Sequence, residues 1–94
     1  MMAKPDVTVL RLYVTGRTAR ADRAIATLRR LCETELKDEY ELSVIDVLEE
    51  PELAEREKII ATPTLVKRLP PPVRRIIGDL SDKEKVLLGL QIEE

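Results

Sequence analysis

Histidine is missing from the 94 residues, and so are phenylalanine and tryptophan. Without an imidazole there is no Ser-His-Asp or Cys-His triad, no histidine metal ligand and no side chain that titrates unaided near neutral pH. Tyr13 and Tyr40 are the only aromatic residues, so the chain has no platform for stacking nucleic-acid bases. A single cysteine, Cys32, excludes an internal disulfide, a CxxC motif and a cysteine-rich zinc site. No stretch approaches the roughly 18 apolar residues of a membrane span, and the opening MMAKPDVTV has no apolar run for a signal peptide. The expectation is a soluble, cytoplasmic protein. Neither sign of charge dominates: 16 Lys and Arg stand against 18 Asp and Glu, and the net charge of −2 argues against an overall basic nucleic-acid binder. The length allows one domain, 1–94. These absences predict no cofactor, no metal, no nucleic acid and no membrane as partner, and they close most routes to catalysis.

What is present is a clear alternation of elements. Val7 to Thr15, VTVLRLYVT, sets Leu10, Leu12 and Val14 on one face and Val9, Arg11 and Tyr13 on the other, the pattern of an interior strand. Gly16 breaks it, and Thr18 is placed to cap the helix that follows. From Ala19 to about Leu36, Ala21, Ala24, Ile25, Leu28, Leu31, Cys32 and Leu36 form one apolar stripe, with Arg17, Arg20, Arg23, Arg29 and Arg30 mostly away from it. On that stripe Cys32 reads as a small buried apolar residue. Tyr40 to Leu48 predicts a second strand, and Pro51 opens a short helix that runs to about Lys58. Ala61 to Val66 reads as a third strand and Val73 to Ile77 as a fourth, with Pro70, Pro71 and Pro72 between them. Ser81-Asp82-Lys83-Glu84 has the form of a capping box and predicts a last helix.

The resulting order, β-α-β-α-β-β-α, is that of a thioredoxin-like α/β fold, and Pro63 stands where that fold carries a cis-proline ahead of its third strand. The redox chemistry of that fold is missing. Its thiols would stand between the first strand and first helix, where this chain has Thr15-Gly16-Arg17-Thr18-Ala19-Arg20. Cys32 lies about three helical turns further on and has no resolving partner. Charge is unevenly distributed instead. Between Glu41 and Lys58 seven acidic residues face only Arg56 and Lys58, whereas Lys67, Arg68, Arg74 and Arg75 have no acid among them. That division reads as a two-signed docking face for a protein partner.

The stretches LRLYVTG, VIDVLEEPELAE and KIIATPTLVKRLPPPVRRIIGDLSDKEKVLLGL resemble the KaiB family of small clock proteins, over about Val9 to Leu90. The chain stops at Glu94, where cyanobacterial members usually carry a longer acidic tail, and this points to a relative outside the core cyanobacterial clock. The resemblance implies no catalysis. It implies a KaiC-type double-ring hexameric ATPase as partner, with KaiA or a sensor histidine kinase as further ones. Docking is then expected at the basic segment around the prolines, through Lys58, Lys67, Arg74 and Arg75. It also implies two folds: the thioredoxin-like monomer that binds the partner, and a resting fold, β-α-β-β-α-α-β, expected in an isolated dimer or tetramer.

The residues themselves are ambiguous in the second half. Val86 to Leu90 is an apolar run that periodicity assigns to neither helix nor strand, and Val73 to Ile77 could equally form a turn of helix. Gly89 costs a helix about 1 kcal/mol relative to Ala, so Ala there is expected to favour the helical state. Pro63, Pro70, Pro71 and Pro72 supply four X-Pro bonds, each isomerising unaided over tens to hundreds of seconds, an expected brake on any exchange between folds. Pro63, Pro70, Pro71, Pro72 and Gly89 are thus the expected switch residues. The alternatives are a redox protein acting through Cys32 with an external thiol, and a domain that docks a sensor kinase.

Overall fold

The computed structural model describes residues 7–37, 39–78 and 80–90. Along them run β1 (Thr8–Val14), α1 (Ala19–Glu35), β2 (Tyr40–Asp46), α2 (Pro51–Arg56), β3 (Thr64–Leu69), β4 (Arg74–Ile77) and α3 (Lys83–Leu90). This is the order read from the sequence. The opening MMAKPD and residues 91–94, on which the leader and tail expectations rest, lie outside the described residues.

The sheet order is β2-β1-β3-β4, with β1 parallel to β2 and the other neighbours antiparallel. The doubly apolar β1 is therefore interior, and each of its faces meets a different layer. Leu10, Leu12 and Val14 join Leu65 of β3, Leu28, Leu31 and Cys32 of α1, and Val86, Leu87 and Leu90 of α3 in the main core. On the opposite face Tyr13, Ile45 and Val66 pack beneath Leu53 of α2. Helices α1 and α3 thus cover one face and α2 the other. Each fully buried Leu or Val contributes roughly 1.5–3 kcal/mol to holding these layers.

Several ends differ from the sequence reading, each for a local reason. β2 stops at Asp46 because its carboxylate accepts from Leu48 N at 2.9 Å, which turns the chain before Leu48 can extend the strand. The third strand begins at Thr64, beyond Pro63, which has no N–H for a ladder, and runs on to Leu69. Helix α2 ends in a Schellman motif: Ile59 N donates to Ala54 O at 2.9 Å and Lys58 N to Glu55 O at 3.0 Å. Lys58 occupies the left-handed position usually given to glycine, at φ 58°. The cap of α3 is Asp82, one residue beyond the expected Ser81: its carboxylate accepts from Lys85 N at 3.1 Å. The cap of α1 is the expected Thr18, whose hydroxyl accepts from Ala21 N at 3.1 Å.

Gly89 has a neighbour that the sequence does not show. It lies in α3 over Ile76 of β4, and a Cβ at that position would stand 2.9 Å from Ile76 Cδ1 and 3.0 Å from Cγ1. A methyl group there would require the Ile76 side chain to shift aside. The expected gain in helix propensity from Ala is opposed by this contact.

Candidate functional site

The loop between β1 and α1 meets the segment before β3 at one end of the sheet. Thr15 and Thr62 share a hydrogen bond between their hydroxyls at 2.7 Å, beside Pro63, which is buried and follows a cis peptide bond. Asp46 fastens the same loop, its Oδ1 accepting from Gly16 N at 2.9 Å. Where the related redox fold keeps its thiols, this loop presents hydroxyls that are already engaged. Cys32 is fully buried in the main core, and burial pushes its thiol up to about 11, outweighing the opposite pull of Arg29. Such a thiol stays protonated and inert at neutral pH.

The four cations expected to dock a partner are not equivalent in the structure. Lys58 and Arg74 are exposed and make no ion pair among the described residues. Arg75 is also exposed, but its guanidinium donates to Glu57 O at 2.8 Å and Lys58 O at 3.3 Å, where it caps the negative end of α2. Lys67 is 2% exposed, so it offers no charge to the surface in this fold. Its Nζ donates to Pro70 O at 2.9 Å and so holds the start of the proline turn; Pro70, Pro71 and Pro72 themselves are exposed. Burial first, and then Arg74 beside it, lower the Lys67 pKa from its ordinary 10.5.

Below this hairpin the sheet face under α2 carries a charge cluster that sequence reasoning missed. Glu57 accepts from Arg68 Nη1 through both carboxylate oxygens, at 2.9 and 3.1 Å, and Arg11 approaches to 3.9 Å. Glu57 belongs to the acidic segment and Arg68 to the basic one. Part of the charge division thus closes on itself inside the molecule.

A second feature missed from the sequence is a groove along α1. One part, about 370 Å³, lies between Arg20, Arg23 and Thr27 on the helix and Pro63, Leu80 and Ser81 opposite. A further hollow of about 210 Å³ continues past Thr27, Leu80 and Ser81 to Arg30. The signal was present in the spacing: positions 20, 23, 27 and 30 share one side of a helix. Read only as the solvated side of the helix, they do not announce a groove until the segment after β4 is seen to form its other wall.

The architecture places the protein in the thioredoxin-like class. Mitochondrial thioredoxin 3 from Saccharomyces cerevisiae superposes with a TM-score of 0.70 over 90% of this chain and 77% of that one, at 17% identity, a likeness of fold alone. The N-terminal domain of SasA from Synechococcus elongatus is similar at 28% identity and TM-score 0.67, covering the whole of this chain and 90% of that one. The sequence is more specific. The KaiB domain family matches residues 11–92. The circadian clock protein KaiB3 of Synechocystis is 60% identical over 84 residues, 89% of this chain and 82% of that protein. The chain belongs to the KaiB family of circadian clock proteins.

Proposed function

We infer that the protein is a non-enzymatic timing regulator of the cytoplasm that binds a KaiC-type hexameric ATPase as a thioredoxin-like monomer and modulates its phosphorylation or ATPase cycle. The observation that carries this reading is family membership across residues 11–92, joined to a thioredoxin-like fold with no thiol in the β1–α1 loop. The buried, protonated Cys32 speaks against the redox alternative. Likeness to the SasA domain over its length supports a link to a sensor histidine kinase; KaiA is a further partner in this reading. The resting β-α-β-β-α-α-β fold, held as a dimer or tetramer, is the second state. Its switch residues are Pro63, Pro70, Pro71, Pro72 and Gly89, and self-association favours it by mass action. Of the four cations expected to dock, Lys58 and Arg74 are exposed with no ion pair among the described residues; Lys67 and Arg75 contribute by holding this fold together.

The test is co-elution with a purified KaiC-type hexamer in the presence of ATP, compared with a concentration series of the protein alone. Binding of the monomer, with dilution favouring it, is expected. An ATPase that neither binds the chain nor changes its turnover in its presence contradicts the reading.

A further inference from the structure

Some of the cations among the described residues are answered by a partner. Arg17 meets Asp22 and Lys83 meets Glu35. Arg68 is held by Glu57, Arg75 by the α2 carbonyls and Lys67 by Pro70. Arg20, Arg23 and Arg30 have no such partner, as is also true of Lys58 and Arg74, but these three share one side of α1. Their guanidinium groups have no hydrogen bond or ion pair among the described residues, and all three line one continuous groove. Its apolar lining, Pro63 and Leu80, is itself buried. A low-dielectric floor strengthens attraction between these cations and an anion lying in the groove. Three like charges on one helix side, with no ion-pair partner among the described residues, are electrostatically incomplete.

The dimensions favour one kind of occupant. Arg20 and Arg30 are ten residues apart, about 15 Å along the helix axis. An extended peptide rises about 3.3 Å per residue, so about five residues span that length, with alternate side chains on one side. Carboxylates at those alternate positions can each take the two-pronged donor set of a guanidinium. Nucleic acid fits less well, because the chain offers no aromatic side chain beside the groove for a base to stack on.

We propose that the α1 groove is the docking site for an extended acidic segment of a partner protein, with Glu or Asp at every second position. The proposal deepens the clock-partner reading, resting on it only in taking the partner to be a protein. It places recognition on Arg20, Arg23 and Arg30 rather than on the proline hairpin.

The probe is a fluorescently labelled nonapeptide of alternating Glu and Ser, followed by anisotropy across a salt series. Wild type is expected to bind it, more weakly as salt rises. The Arg20→Ala/Arg23→Ala double variant should lose affinity by about ten-fold or more, whereas Arg29→Ala, on the same helix but outside the groove, and Arg74→Ala should change it less than about two-fold. Unchanged thermal melts of these surface variants verify that the fold is kept. Absence of binding, or equal losses in all the variants, overturns the proposal. So does a single-stranded oligonucleotide of equal charge that binds as tightly and is lost with the same two arginines. A KaiC-type hexamer that binds wild type and the double variant alike removes the groove but leaves the clock reading. Peptide binding without any hexamer binding does the reverse.

Discussion

The two halves of the chain are held by different means. From Thr8 to Asp46, β1, α1 and β2 are joined by a continuous apolar contact surface, with Leu10, Leu12, Val14, Leu28 and Cys32 almost wholly inaccessible. From Pro51 to Leu90 the elements are shorter; Leu65, Val86, Leu87 and Leu90 dock onto that same core, and individual polar ties fix the ends: Glu57 to Arg68, Arg75 to the α2 carbonyls, Lys67 to Pro70, Asp82 to Lys85. Burial spread over many methyl groups is lost only when the whole unit opens. A tie made by one side chain can be released singly. The second half is therefore expected to open at a lower free energy than the first.

The largest expected effect lies in the first half. Leu12 is fully buried in the interior strand, so Leu12→Ala should cost about 3 kcal/mol, lowering the urea midpoint without altering the slope. Because β1 pairs with both β2 and β3, both halves should be lost together. Next is the tie at Glu57. Glu57→Ala removes the charged contact with Arg68 and should cost about 2 kcal/mol, with NMR shifts confined to α2, β3, β4 and the surroundings of Arg11 in β1. Shifts that spread equally through α1 would erase the contrast between the halves.

Lys67 gives a smaller effect that depends on pH. Its folded pKa lies below the unfolded value, so the unfolded chain binds the proton more tightly. Stability therefore rises with pH between the lowered pKa and 10.5, and is least where the ammonium is charged in both states. Urea melts of Lys67→Met should lack this increment when compared with wild type at the same pH values. The smallest effect is at Gly89. Gly89→Ala alone should change stability by less than about 0.5 kcal/mol, because Ile76 opposes the propensity gain; in an Ile76→Ala background the gain of about 1 kcal/mol should emerge.

The sequence displays the first half almost completely, since a 17-residue amphipathic stripe and a doubly apolar strand are long periodic signals. Thr18 as cap and Cys32 as core are legible for the same reason. The element order of the second half is legible too, but its contacts are not. Nothing local to Lys67 shows that its ammonium turns inward to a carbonyl three residues on, or that Arg75 reaches back to α2 instead of outward. Gly89 reads as a weak helix position until Ile76 is seen beneath it. Glu57 and Arg68 belong to opposite charge runs, and only the packing of α2 on the sheet brings them into contact. The arginines of the groove are visible as residues, whereas the wall facing them comes from a segment some sixty positions away.

Native-state hydrogen exchange, followed amide by amide through low concentrations of denaturant, tests the division between the halves most directly. The account predicts that amides of β4 and α3 exchange through an opening of lower free energy than those of β1, α1 and β2, which stay protected until global unfolding. A single opening free energy shared by all these elements would contradict it.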